Sequence, residues 1–129
     1  LTGEPAHDMF TSACRDMSGV TGSLPAGFLD MSGLIGELPW AWPLYSTCYN
    51  MSSIESGDVV ISFNVALNDA DIVNQLEYMF RGCENWTGQL YWGDHVIHTL
   101  LTPDEPNGTF AGCTSMPGYD SLHANWKTT

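Results

Sequence analysis

The stretch that decides the fold prediction is "YMFRGCENWTGQLYW", Tyr78–Trp92, because its centre recurs in related form in the 129-residue chain. The related stretches are "MFTSACRDMSG" (Met9–Gly19), "LYSTCYNMSS" (Leu44–Ser53) and "TFAGCTSMPG" (Thr109–Gly118). Each has an aromatic residue, a cysteine three or four positions later, and then Met or Trp before a turn. The cysteines at positions 14, 48, 83 and 113 are separated by 34, 35 and 30 residues. A period of about 20 to 50 residues is typical of repeat arrays.

Stacked units of this kind bury their apolar faces on one another, so the pattern predicts an α/β repeat solenoid with short strands and one clear helix. We expect a single domain over residues 1–129, divided into about four degenerate repeats: 9–43, 44–78, 79–108 and 109–129. The predicted inward-facing rung residues are the motif aromatics and cysteines: Phe10, Cys14, Tyr45, Cys48, Phe80, Cys83, Phe110 and Cys113.

All four motif copies carry a family resemblance, and the third and fourth match best. "MFRGCENWTG" and "TFAGCTSMPG" resemble the aromatic-x-x-Cys-x-x-apolar core of the leucine-rich repeats of bacterial surface proteins, the BspA-like kind with a Met-Phe-x-Gly-Cys signature. "TGSLPAGFLDMSGLIGELP", Thr21–Pro39, is similar to the Gly-x-Leu-Pro stretches that follow that core in some members. The first copy carries an extra residue before its cysteine, the second ends in Ser53, and the spacing exceeds the family's usual mid-twenties. The resemblance implies a leucine-rich-repeat-like solenoid at a cell surface.

Hydrophobic periodicity gives a coarse secondary structure. Alternating β-branched residues predict a strand over Asp58–Leu67, and apolar residues at helical spacing predict a helix from Asn68 or Asp69 to Gly82. Further strands are predicted over Gln89–Trp92 and His95–Leu101, joined by a tight turn at Gly93 and Asp94. Thr102–Gly108 is predicted to be an exposed loop.

The charge balance excludes several classes of partner. Three Lys and Arg residues stand against 15 Asp and Glu, which gives a formal net charge of −12. Such a chain repels phosphate, so we predict no nucleic-acid binding and no attraction to anionic lipid. No apolar run reaches about 18 residues, so no membrane insertion is predicted.

Cysteines and glycosylation sequons leave two states open. The four cysteines allow two disulfides in one of three pairings, or they are buried free thiols in a stack of rungs. Candidate N-glycosylation sites are Asn50, Asn85 and Asn107, of which only Asn107 is expected in an exposed loop. The alternative fold prediction is therefore a small disulfide-bonded α+β domain, a secreted effector or toxin-like glycoprotein.

No arrangement of residues predicts an enzyme. There is no Gly-x-Ser-x-Gly, no local Cys–His signature and no phosphate-binding glycine loop. His95 and His98 would point to opposite faces of a strand, so no metal site is predicted. "NDAD", Asn68–Asp71, lacks the glycine and the distal glutamate of a calcium loop. No cofactor is predicted, and calcium is compatible with the acidic composition without a motif that indicates it.

Aromatic residues provide the candidate binding surface. Trp40, Trp42, Tyr91 and Trp92 exceed what a small core needs, and exposed Tyr and Trp favour protein or glycan contacts. The opposite interpretation, that they fill the core, is equally open. The sequence therefore predicts an extracellular or cell-surface interaction or structural module. Such a module would bind a protein or glycan partner or assemble with copies of itself.

Overall fold

The computed structural model describes residues 11–25, 28, 35–37, 44–61, 64–66 and 75–128. The strands are β1 (Gly22–Ser23), β2 (Ile35–Glu37), β3 (Ile54–Ser56), β4 (Val59–Ile61), β5 (Asn64–Ala66), β6 (Leu90–Trp92) and β7 (His95–Val96). The helices are α1 (Ile97–Leu100), a 3-10 helix (Tyr119–Ser121) and α2 (Ala124–Lys127). Within these residues no helix has both the length and the apolar character that crossing a bilayer requires.

The strands form three separate small sheets. β1 pairs with β3, β2 pairs with β5, and β4, β6 and β7 form a three-stranded sheet. Every pair is parallel except β6–β7, which is an antiparallel hairpin turning at Gly93 and Asp94. The parallel pairs join strands that lie about 30 residues apart in sequence, as in the pairing of Val59 with Leu90.

Between the strands, the four cysteine segments (residues 11–20, 44–54, 76–86 and 108–116) lie side by side. The N–H of Cys14 donates to the carbonyl of Thr47 at 2.8 Å. In the same way, Cys48 donates to Met79 at 2.8 Å. The same kind of hydrogen bond, from a backbone N–H to a carbonyl of the next segment, joins seven further pairs. These are Ser12 to Tyr45, Asp16 to Tyr49, Ser46 to Glu77, Asn50 to Arg81, Tyr78 to Asn107, Phe80 to Thr109 and Gly82 to Ala111. Alternate amides of each segment therefore bond to the next segment.

This backbone register places equivalent residues in columns. Column 1 consists of Cys14, Cys48, Phe80 and Phe110. Column 2 lies one turn further along and consists of Met17, Met51, Cys83 and Cys113. Column 3 follows after another turn and consists of Val20, Ile54, Trp86 and Met116. The turns are closed by hydrogen bonds between residues three apart, such as Cys83 N–H to the carbonyl of Phe80 at 3.0 Å.

The columns form the core. All members from the second, third and fourth segments are buried. The Phe80 ring stacks on Trp86 with centroids 4.4 Å apart and on Phe110 at 6.0 Å. Burial of large apolar side chains of this kind stabilises the fold by about 1.5–3 kcal/mol each.

The sequence predicts that all four cysteines occupy equivalent positions in their segments. The hydrogen-bonding register shows that they do not. Cys48 lies in the column of Phe80 and Phe110, whereas Cys83 and Cys113 lie in the column of Met51. Because the turns recur every three residues, an alignment of two segments that is shifted by three residues still places apolar residues on apolar residues. An alignment on cysteine alone therefore does not detect the shift.

The predicted fold class is wrong. A leucine-rich-repeat solenoid has a strand from every repeat in one continuous parallel sheet. The described strands are two or three residues long and fall into three separate sheets. The disulfide-bonded alternative is also wrong, because all four cysteines are free thiols. The division into four sequence repeats stays a prediction.

Three element predictions change as well. Of the helix predicted to end at Gly82, residues 77–82 are turns, and Tyr78 has a left-handed φ of 56°. The strand predicted over Asp58–Leu67 contains β4 and β5, which pair in different sheets. The strand predicted over Gln89–Trp92 is confirmed as β6, whereas His95–Leu101 is a two-residue strand followed by α1.

Candidate functional site

One end of the columns is covered by the chain's own C-terminal helix. The N–H of Phe110 donates to the carbonyl of Trp126, and the N–H of Asn107 donates to that of Asn125, both at 2.9 Å. The buried Trp126 ring lies 5.4 Å from Phe110. The Asn125 side chain donates to the carbonyl of Pro103 at 2.8 Å, which holds α2 in place. Helix α2 therefore caps the fourth segment.

The other end, which we call the open end (residues 11–20), has apolar side chains in contact with solvent. Met17 is 44% exposed and Val20 is 38% exposed. Their column neighbours Met51 and Ile54 are only 3% and 2% exposed. Cys14 is half-buried, whereas Cys48, Cys83 and Cys113 are buried. The same side-chain types are thus core in the inner segments and surface at the open end.

The backbone at the open end presents acceptors rather than donors. The amides of Ser12, Cys14 and Asp16 all donate inward to the second segment. The carbonyl oxygens of Ala13 and Arg15 accept no hydrogen bond from any residue that the structure describes. In the second segment the equivalent carbonyls, those of Thr47 and Tyr49, are occupied. The edge therefore continues the hydrogen-bonding pattern outward with acceptors alone.

The open end has one acidic and one basic side chain, Asp16 and Arg15, whose charges balance. The Asp16 carboxylate is exposed and accepts a 2.9 Å hydrogen bond from the Asn50 amide. It also lies 3.4 Å from Arg15, in an exposed ion pair of the kind that contributes little to stability. The Arg15 guanidinium itself lies over the ring of Tyr49, 4.4 Å from its centroid. The one cation at this end is thus held against the chain's own side chains.

The buried cysteines are structural rather than nucleophilic. Burial raises the pKa of Cys83 to about 12, with a smaller opposing effect from a backbone hydrogen bond. Burial and the neighbouring cysteines raise the pKa of Cys48 well above its usual value. The pKa of Cys113 is raised in the same way. A thiol with a raised pKa stays protonated at neutral pH, and the protonated form is not the nucleophile.

Of the predicted aromatic surface, Trp40 and Trp42 lie outside the described residues. Tyr91 and Trp92 are half-buried in β6, between β4 and β7. Trp92 packs against the core and opposes His95 in the hairpin. These two rings therefore belong to the three-stranded sheet and not to the open end.

Among the remaining rung residues, Phe10 lies outside the described residues. Tyr45 is half-buried, with its ring centroid 5.6 Å from that of Tyr78. Cys14 lies at the open end, and the other predicted rung residues are buried.

The three sequons differ in exposure. Asn50 and Asn85 are exposed, and the Asn85 amide donates to the carbonyl of Ser52 at 2.8 Å. Asn107 is fully buried, and its Oδ1 accepts the amide of Thr109 at 3.2 Å. The prediction that Asn107 lies in an exposed loop is wrong, because its side chain turns inward to that amide.

The candidate metal ligands are not brought together. His95 is exposed on β7, and His98 is half-buried on α1, where burial lowers its pKa. In the described part of the chain no three His, Cys, Asp or Glu residues form a group that could hold a metal ion. Asn68–Asp71 lies outside the described residues.

Sequence reasoning missed Met17 and Val20 as surface residues, because their local motif matches the buried copies. No local signal in the sequence distinguishes these two positions from their buried counterparts Met51 and Ile54. Comparison of the chain with protein-family models, curated proteins and solved structures gives no match.

Proposed function

We propose that the chain is an extracellular or cell-surface interaction module that binds a protein partner through its open end. The observation that supports this is the difference between the two ends of the columns. Helix α2 and Trp126 cover one end. At the other lie Met17, Val20 and two backbone carbonyls that accept no hydrogen bond from the described part of the chain. Most of residues 11–20 are turns, and their row of backbone acceptors is a template for added backbone in the way that the edge of a sheet is for an added strand.

The exposed apolar side chains supply the affinity in this proposal. Met17 and Val20 lie in columns 2 and 3, so a partner that extends these columns would bury both. Full burial of such a side chain contributes about 1.5–3 kcal/mol, so the remaining exposure contributes a fraction of that at each position. Backbone hydrogen bonds to the carbonyl oxygens of Ala13 and Arg15 would fix the register in which the partner binds.

Charge limits the class of partner. The net charge is −12, and all three basic residues lie over the chain's own tyrosine rings. Arg81 is 5.2 Å from the centroid of Tyr78, and Lys127 is 5.2 Å from that of Tyr119. Few cations are therefore free to meet an acidic partner, which favours a neutral or basic protein surface.

The test is site-specific photocrosslinking with a benzophenone amino acid at position 17. Leu100 is the matched control position, because it is 46% exposed and lies in α1. The two labelled chains are incubated with intact cells and culture medium from the source organism, and adducts are identified by mass spectrometry. The proposal predicts a protein adduct at position 17 that is absent at position 100.

Competition makes the result specific. Excess unlabelled chain should abolish the adduct, whereas excess Met17→Asp chain should leave it at more than half its level. Equal adducts at both positions, or equal competition by the two chains, would refute binding at the open end.

A further inference from the structure

We infer that the open end binds a polypeptide segment in the same turn conformation, which donates backbone N–H groups from alternate residues, and not a second copy of this chain. This inference rests on the proposed function and specifies the chemistry of the partner. The acceptor-only edge at Ala13 and Arg15 is the feature that selects it.

Two copies cannot pair through their open ends by backbone hydrogen bonds. The donors of this edge, the amides of Ser12, Cys14 and Asp16, already point inward to the second segment. Two such edges placed together would therefore bring carbonyl oxygen against carbonyl oxygen. Unpaired polar groups buried in this way cost free energy rather than contribute it.

The opposite end of a second copy is also occupied. It carries the complementary donors at Gly108, Phe110 and Gly112, but the N–H of Phe110 already donates to the carbonyl of Trp126 at 2.9 Å. The N–H of Gly112 faces the Tyr119 hydroxyl at 3.4 Å. Head-to-tail stacking would require α2 and the 3-10 helix to detach. The partner must therefore bring its own free amides.

Backbone conformation defines the sequence that such a segment needs. The residues two positions before those of column 1 all have left-handed φ angles: Ser12 (56°), Ser46 (54°), Tyr78 (56°) and Gly108 (60°). The residues two positions after those of column 1 also have left-handed φ angles: Asp16 (59°), Asn50 (58°), Gly82 (82°) and Gly112 (78°). Gly, Asn and Asp tolerate this region best. A matching segment has Gly, Asn or Asp at two positions four residues apart, with an apolar residue midway between them. It also has apolar residues one and four positions after the second of the two.

The chain contains a segment of this kind that can serve as a probe. Residues 107–117, "NGTFAGCTSMP", have glycine at both left-handed positions, with Phe110 between them and Cys113 and Met116 after them. The probe is the capped synthetic peptide of this sequence with C113A. It is titrated to several millimolar into the full ¹⁵N-labelled chain, and backbone amide shifts are followed by NMR. We expect saturable shifts confined to residues 11–20 and their contacts in the second segment.

N-methylated peptides test the donors. Methylation at Phe110 and Gly112 removes two of the amides that would face the acceptor edge, and should weaken binding at least tenfold. The control peptide is methylated at Thr114 and Ser115, whose amides lie outside that row, and should bind within about threefold of the parent.

The outcomes separate the two proposals. Equal affinities for the two methylated peptides, or no shifts at residues 11–20, would overturn the donor-segment inference. A position-17 crosslink would still support the proposed function in that case. Sedimentation of the chain alone should show a monomer up to about 1 mM, and dimers abolished by Met17→Asp would overturn the inference in favour of a second copy.

Discussion

The thiol of Cys83 donates a 3.0 Å hydrogen bond to the carbonyl oxygen of Cys48, which belongs to the preceding segment. Cys113 repeats the relationship with the carbonyl of Phe80 at 3.1 Å. In both cases a column 2 sulfur bonds to a column 1 backbone group one segment away. The sulfurs therefore join segments without disulfides, and both cysteines are buried.

Thiol labelling should distinguish Cys14 from the other three cysteines. Cys14 is half-buried at the open end, whereas the other three are buried with raised pKa values. We expect one label under native conditions, on Cys14, and four labels in denaturant without reductant. Peptide mapping by mass spectrometry checks this. Labels that appear only after reduction would show disulfides and contradict the structure.

Stability should fall as the solution becomes alkaline. The pKa of Cys83 rises from 9.0 in the unfolded chain to about 12 in the folded protein. Between these values the native state holds more protons than the unfolded state, so the free energy of unfolding decreases as pH rises. The stabilisation is complete below pH 9 and is lost progressively towards pH 12, on the order of 4 kcal/mol for this thiol.

Denaturant titrations at pH 7, 9 and 10.5 measure this dependence. Cys83→Ala should show a smaller loss between pH 9 and 10.5 than the parent, whatever its stability at pH 7. Tyr78→Phe is a necessary control, because the pKa of Tyr78 is also raised, chiefly by burial. An unchanged slope in Cys83→Ala would contradict the assignment.

A methyl group at Gly88 should disrupt the packing of Trp86. A Cβ at Gly88 would collide with the carbonyl oxygen of Gly57 and with the Trp86 ring nitrogen. These two atoms form a 2.8 Å hydrogen bond beneath the glycine. We expect Gly88→Ala to cost about 2–4 kcal/mol, through a clash and a lost buried hydrogen bond.

Gly19→Ala is the matched control, since a Cβ there meets no atom within 4 Å and its φ is not left-handed. It should change stability by about 0.5 kcal/mol or less, with stabilisation favoured by the reduced freedom of the unfolded chain. Chemical denaturation compares the two variants. Equal effects would contradict the close approach at Gly88.

Removing the α2 cap should expose the backbone N–H groups of the fourth segment. Trp126→Ala deletes a buried ring beside Phe110 and should cost about 3–5 kcal/mol. If α2 loosens, the freed amide of Phe110 can meet the acceptor edge of another molecule, so the variant should form head-to-tail oligomers. Leu100→Ala, at an exposed position, should do neither. Sedimentation and denaturation measure both effects, and a stable monomeric Trp126→Ala would contradict the capping role.

The sequence predicts some elements because their signal is local. The short strand predicted over Gln89–Trp92, with the tight turn at Gly93 and Asp94, correctly predicts the turn and first strand of the β6–β7 hairpin. The predicted helix does not continue over residues 77–82, because turns of three residues place Leu76, Met79 and Phe80 on the same side as a helix would. Spacings of three and four residues do not separate the two conformations without the hydrogen bonds.

Long-range features are not visible in local patterns. Asp58–Leu67 alternates as one strand does, but alternation does not report that β4 pairs with β6 and β5 pairs with β2. Met17 lies between Asp16 and Ser18 much as Met51 lies between Asn50 and Ser52, yet Met17 is 44% exposed and Met51 only 3%. The candidate site therefore depends on stacking order, which a motif does not contain.

Amide hydrogen exchange at the open end tests the central claim most directly. Measured residue by residue by NMR, the amides of Cys14 and Asp16 should exchange slowly, although Asp16 is exposed, because both donate inward at 2.8 Å. The amide of Ala13 between them should exchange at least tenfold faster. This alternation would establish that alternate amides of the first segment are hydrogen-bonded to the second, as the acceptor-only edge requires. Equally fast exchange at all three residues would show that the first segment is not paired, and the acceptor-only edge would be wrong.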